Sequence, residues 1–210
     1  FHEISDFLRT ELGEDIEEIF ETFEKEPIAA ASLAQVHRAV LKRDGSEVAV
    51  KVQYPNLPTQ VANDLAALEF LANAIGRYFP SFEFSWLLPE FEEIGDIELD
   101  FVQECVNADR MRSLLSETTN VYVPQVIKDL SGRRVLTMEY VHGERVDNLE
   151  KLQNLNINPK RVASKMCEVF GDMMFVHGLV RVCLFVCLLF GNTNHHTNQV
   201  HCDPHPGNLL

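Results

Sequence analysis

The sequence predicts an α+β fold, a small sheet lobe followed by a helical lobe. Three observations carry that prediction. Residues 33–41 and 47–54 alternate apolar and polar around Lys42-Arg43-Asp44-Gly45-Ser46, the pattern of a β-hairpin. Two more strand-like stretches, 121–127 and 133–141, flank the turn Leu130-Ser131-Gly132. Pro159 then opens a long amphipathic stretch that reads as a helix closing near Gly178.

The remaining elements follow in order. Ile4, Phe7, Leu8, Leu12, Ile16, Ile19, Phe20 and Phe23 recur at helical spacing, so residues 3–23 read as helix with Gly13 as a break. Pro27 ends that region. From Gln60 to Tyr78 the apolar residues return to helical period, and Asp96 to Leu115 reads as a further helix. No internal repeat is visible.

The 210 residues are enough for one large domain or two small lobes, and 46% hydrophobic with 24% charged residues is ordinary for a globular chain. A net charge of −14 argues against nucleic acid or an anionic membrane surface as the main partner. Residues 1–26 alone carry a net of −8, most simply a solvated helix face. The five cysteines (Cys105, Cys167, Cys183, Cys187 and Cys202) form no C-x-x-C pair and fit a reducing compartment. The apolar run Val182–Phe190 is too short for a bilayer, which needs about 20 residues. Phe1 in place of a start methionine suggests a cut edge, with any targeting segment lost.

Chemistry enters with His201-Cys202-Asp203-Pro204-His205-Pro206-Gly207-Asn208. A rigid, turn-rich loop can aim Asp203 and Asn208 at one spot. Phosphoryl transfer uses that pair, a carboxylate for the nucleophile's proton and an amide oxygen for Mg²⁺. The spacing matches the H-x-D-x-x-x-x-N of kinase catalytic loops. A plain Pro-Gly turn is the bland alternative, and His201, Asp203 and His205 as metal ligands a weaker one, since two prolines spoil the strand it needs. Lys51, in the second hairpin strand, must snorkel outward or meet a carboxylate, with Glu98 and Glu104 as candidates. Ala29-Ala30-Ala31-Ser32 precedes the hairpin where a kinase places its glycine-rich loop. By spacing alone it is an alanine-rich turn, because Cβ atoms hinder backbone approach to phosphates. The strand running into Glu139-Tyr140-Val141 suits a hinge that offers backbone groups to an adenine edge, or a simple core strand.

Taken together, EPIAAASLAQVHRAV, VAVKVQYP, ELDFVQE and HCDPHPGN resemble the UbiB family of atypical kinases, also called aarF-domain-containing kinases. The resemblance runs from about Gly13 to Gly178, resumes at His201, and within the family leans to its mitochondrial branch. It implies a protein-kinase-like bilobal fold: residues 1–26 an acidic helical segment, 27–141 the N-lobe, and 142–210 an incomplete helical C-lobe with an atypical insert at 180–199. It implies Lys51 as the nucleotide-binding lysine and Glu104 as its helix partner. Glu98 and Asp100 would be the family's acidic regulatory pair, and Ala29–Ser32 its alanine-rich loop. Asp203 would be the catalytic aspartate and Asn208 a Mg²⁺ ligand, with Glu139 and Val141 at the nucleotide. Implied with these are ATP, a lipid or small-molecule acceptor, a link to ubiquinone or other prenyl lipids, peripheral membrane association, and a mitochondrial or plastid setting.

Three departures qualify the resemblance. The family's N-terminal K-x-G-Q segment is absent, no DFG-type aspartate follows Leu210, and residues 180–199 intrude ahead of the catalytic loop. Removing Val180–Gln199 restores HGLVHCDPHPGN. Valine codons begin with GT and one glutamine codon is CAG, so the stretch has the ends of an in-frame intron. A genuine insertion, with Cys183, Cys187, His195 and His196 as a metal site, is the alternative. An apolar loop there would also need a burial partner the fold does not obviously offer. The expectation is of an incomplete chain, inactive as it stands, from a protein that turns over Mg-ATP. A non-catalytic nucleotide sensor is the rival reading, and a small-molecule phosphotransferase outside this family a weaker one.

Overall fold

The computed structural model describes residues 2–78, 89, 99–115, 121–146 and 148–176, and the backbone of 186–190 and 198–202. The chain divides into two compact units: Phe1–Gln103 with Asp129–Thr137, and Glu104–Lys128 with Met138–Leu210.

The first unit opens with α1, His2–Leu12, which ends on Gly13 in the left-handed region (φ +80°). The Gly13 N–H closes the helix on the Arg9 carbonyl at 2.9 Å, a cap that only a residue without Cβ adopts cheaply. A single turn, α2 (Ile16–Ile19), comes next. The chain then leaves the expected helix, because Phe20–Phe23 form strand β1. β1 pairs antiparallel with β3 (Ala34–Leu41), setting Phe20 opposite Leu41 and Phe23 opposite Ala39, with an irregularity between Phe20 and Thr22. That bulge explains the misreading. It adds one residue to β1, so two phenylalanines three apart land on the same sheet face, a spacing that mimics a helix. Their rings meet edge to face, centroids 5.4 Å apart.

β2 (Ala29–Ala30) joins the same edge of β3, opposite Val36 and Gln35. β3 and β4 (Glu47–Gln53) form the predicted hairpin, in register from Ala34↔Gln53 to Val40↔Glu47. Its turn is set by Gly45 at φ +72° and by Asp44, whose Oδ1 accepts from the Ser46 N–H at 2.9 Å. Val48, Val50 and Val52 are fully buried and share one face of β4, while Ala49, Lys51 and Gln53 share the other. Helix α3 runs Leu57–Tyr78, where the spacing predicts Gln60–Tyr78. It buries Leu57 and leaves Leu68, Phe70, Leu71 and Tyr78 exposed. Among the described residues no helix is long and apolar enough to cross a membrane.

Helix α4 spans Phe101–Leu115, beginning in the first unit and continuing in the second. Strand β5 covers only Val121–Tyr122 of the predicted 121–127, with a single bridge beyond it, Val126↔Met138. Pro124 explains the shortening, since it has no N–H to offer a ladder. Past a 3₁₀ turn at Lys128–Leu130, strand β6 (Val135–Glu139) completes the first sheet in the order β1-β3-β4-β6.

In the second unit, β7 (Glu144–Arg145) precedes α5 (Leu149–Asn154), which the Asn148 side chain caps. Helix α6 is Pro159–Gly171, with Pro159 in its first turn and the Asn158 side chain accepting from the Lys160 N–H at 2.9 Å. A π-helical turn, Asp172–Val176, extends it. The backbone strands β8 (Val186–Phe190) and β9 (Asn198–Cys202) pair antiparallel, giving a second sheet in the order β5-β8-β9-β7. Within residues 180–199, β8 pairs with β5 on one side and β9 on the other.

Candidate functional site

Lys51 is the best placed of the expected site residues. It sits half-buried in the middle of β4, opposite Val36, with Nζ 4.5 Å from the centroid of the Phe101 ring. A cation over a buried aromatic face is held without neutralising its charge. Phe101 is itself tied down, since its N–H donates to the Arg133 carbonyl at 2.9 Å. Glu104 stands half-buried in the first turn of the same helix, three residues on from Phe101.

Asp100 starts that helix. Its Oδ1 accepts from the Val102 N–H at 2.9 Å, and its Oδ2 lies 3.6 Å from Arg133 Nε. Capping carboxylates offset the unpaired amides of a first helical turn, so Asp100 has a local structural task beside any regulatory one. Its expected companion Glu98 lies outside the described residues, as do Asp203 and Asn208.

Ala29 to Ser32 are all exposed. The Ala31 N–H is taken up by the Ala34 carbonyl at 2.8 Å, so this stretch is a tight turn off a two-residue strand. In the second unit, the Glu139 N–H donates to the Gln125 carbonyl at 2.9 Å. The Glu139 carboxylate accepts from the Tyr122 hydroxyl at 2.5 Å and the Gln125 N–H at 3.3 Å. Val141 lies half-buried just past the strand end.

Sequence reasoning overlooked two buried polar groups in the β3–β4 hairpin. Gln53, on the same strand face as Lys51 and almost fully buried, donates from Nε2 to the Leu99 carbonyl at 3.1 Å and accepts from Arg134 Nε at 3.2 Å. Arg134 also donates to the Pro55 carbonyl at 2.8 Å and stacks over Phe7, 4.4 Å from its centroid. This cluster holds α1, the end of β4 and the residues before α4 together. A glutamine at an inward strand position was its one visible sign.

The other is His37, fully buried in β3. Its Nδ1 lies 2.8 Å from the Glu24 carbonyl, which makes Nδ1–H the donor, and its ring packs on Phe23 at 5.1 Å. Nε2 has no hydrogen-bond partner among the described residues. Burial pushes the imidazole below its ordinary value of 6.5, opposed by the Glu24 carbonyl. Smaller influences are the Glu24 and Glu26 carboxylates, which raise it. The unfolded chain therefore binds a proton here before the folded one does. Stability should fall as pH drops below about 6.5 and level off beneath the folded value. Urea midpoints at pH 7.5 and 5.5 should show a decline that is smaller in His37→Asn, and equal declines would reject this account.

The ABC1 atypical kinase-like domain matches residues 1–184. The chain belongs to this family. The AarF domain-containing protein kinase 1 of Xenopus laevis is 40% identical to this chain over 210 residues, covering 100% of it and 36% of that protein. The AarF domain-containing kinase 1 of Drosophila melanogaster is 36% identical over 203 residues, covering 97% of the chain and 35% of its own length. The chain thus spans about a third of the length of these curated relatives. Among solved structures, the Rv3197–erythromycin complex from Mycobacterium tuberculosis superposes with a TM-score of 0.59 at 29% identity, over 68% of this chain and 36% of that one. The ABC1 fold is kinase-like, an antiparallel sheet with helices. The family match ends at residue 184, while the Xenopus laevis relative aligns along the whole chain.

Proposed function

We propose that the intact protein binds Mg-ATP and transfers or hydrolyses its γ-phosphate. The observation that carries this reading is Lys51, held half-buried against the first residue of the helix that bears Glu104 three positions later. A strand lysine presented this way can grip α- and β-phosphates, with Glu104 as the carboxylate that fixes it. Ala29–Ser32 would cover the phosphates and the Glu139–Val141 segment would offer backbone groups to the adenine edge. Asp203 would orient the hydroxyl or water that attacks.

Magnesium would arrive with the nucleotide and neutralise phosphate charge, and Asn208 is the ligand this chain offers. Among the described residues no group of three or more His, Cys, Asp or Glu side chains could hold a metal. The metal assignment therefore rests on the Asp203–Asn208 spacing. Family membership supports an acceptor that is lipid-linked or a small molecule, in ubiquinone or other prenyl-lipid metabolism. It also supports a mitochondrial or plastid setting with peripheral membrane contact. The charge of −14 speaks against nucleic acid.

One observation favours the second reading, a nucleotide sensor without turnover. Because the Ala34 carbonyl takes up the Ala31 N–H, the alanine turn has fewer amides for a phosphate than a glycine-rich loop would. Calorimetric titration of the intact protein with Mg-ATP, run beside a phosphate-release assay, separates the two. Binding with release is expected. Binding without release selects the sensor, and no binding at millimolar nucleotide rejects both.

A further inference from the structure

β1 and β2 both pair with the same edge of β3, but they are not continuous. Phe23 stands opposite Ala39 and Ala29 opposite Val36, so the five residues 24–28 span an interval that β3 crosses with His37 and Arg38 alone. Such an excess must bulge out of the sheet, and a bulge re-aims the chain beyond it. The segment re-aimed by this one is the alanine stretch Ala29–Ser32.

The bulge is anchored at its first residue. The Glu24 N–H donates to the Arg38 carbonyl at 2.9 Å, and the Glu24 carbonyl accepts from His37 Nδ1 at 2.8 Å. The Glu24 carboxylate lies 3.8 Å from the Arg38 guanidinium, whose other terminal nitrogen meets Glu47 at 2.7 Å. Of the groups making these contacts the His37 ring is fully buried, so its donor has no water to turn to if the Glu24 carbonyl moves away. At the far end of the bulge, the Ile28 N–H donates to the Val36 carbonyl at 2.8 Å.

We propose that His37 is a positioning residue, which clamps the 24–28 bulge through Glu24 and so sets where the alanine stretch lies over a bound nucleotide. The second half of that statement rests on the nucleotide reading above, and the first half does not. A second proton on the ring would put charge at Nε2, in a buried place lined by Phe23. The nearby charged groups are Glu24 and Glu26 on the bulge, with Arg38 on the same strand and Glu47 across the hairpin. Charging the ring would therefore cost burial energy, while the Nδ1–H donor to the Glu24 carbonyl is kept in either state.

The test compares wild type, His37→Leu and His37→Asn in the intact protein. Asparagine keeps a donor near the Nδ1 position and cannot take up a proton, whereas leucine fills the space without a donor. Amide hydrogen exchange at residues 24–31 should rise at least tenfold in His37→Leu and return close to wild type in His37→Asn. The apparent KM for Mg-ATP should rise about tenfold in the leucine variant with kcat changed less than threefold, and the asparagine variant should recover most of it. Unchanged exchange in His37→Leu overturns the clamp, and so does an asparagine variant no better than leucine. Altered exchange with an unaltered KM overturns the link to the nucleotide. If wild type binds no Mg-ATP, the nucleotide reading is the part that fails, and the exchange comparison still decides whether His37 sets the bulge.

Discussion

Asp203→Asn in the intact protein is expected to lower ATP turnover by roughly two to four orders of magnitude, the usual worth of a positioned acid–base group. Nucleotide affinity should stay within a few-fold of wild type, because the amide keeps the size of the carboxylate and loses only its charge. Lys51→Ala should fail differently. If Lys51 grips the phosphates as proposed, its loss should weaken Mg-ATP binding and turnover together. The contrast matters because a damaged fold would lower both quantities in both variants. Steady-state phosphate release and calorimetric affinity on the same preparations provide the comparison. Undiminished turnover in both variants would sink the site assignment.

The largest expected effect on stability comes from Phe101. Its side chain is 2% exposed and supports the Lys51 ammonium at 4.5 Å. Truncation to alanine should cost about 3–5 kcal/mol, the range for a buried phenylalanine that leaves a cavity. Against a total stability of about 5–15 kcal/mol for a typical domain, that is a large share. Phe101→Leu restores most of the volume and should cost much less. Part of that smaller cost is the lost cation–π contribution, about 0.5–2 kcal/mol, which a double-mutant cycle of Lys51→Met with Phe101→Leu isolates. Urea unfolding of the four proteins provides the numbers. A cost below about 1 kcal/mol for Phe101→Ala would mean that the ring is not the packed support described here.

The fold was legible where local chemistry decides it. Asp44-Gly45 between two alternating runs gave the β3–β4 hairpin, and Asn158-Pro159 gave the start of α6. Lys51 and Ala29–Ser32 stood out in sequence because a charge in an apolar strand and a run of alanines are each unusual. The consequences of pairing at a distance stayed hidden. Phe20 and Phe23 carry helical spacing and form a strand, since β3, some 15 residues on, supplies hydrogen bonds and a bulge corrects the register. His37 looked like one more residue of LAQVHRAV until the fold buried it beneath Glu24.

The sequence by itself thus determined the hairpin, the capped helix starts and the family motifs, because turns, caps and motifs are short-range chemistry. Tertiary structure alone decided that β1 and β2 share one edge of β3, that Lys51 rests on Phe101, and that a buried histidine donates to the Glu24 carbonyl ahead of the alanine turn. Each of these depends on which distant segment comes to lie alongside, and that is set by burial summed over the whole unit rather than by any neighbouring residue.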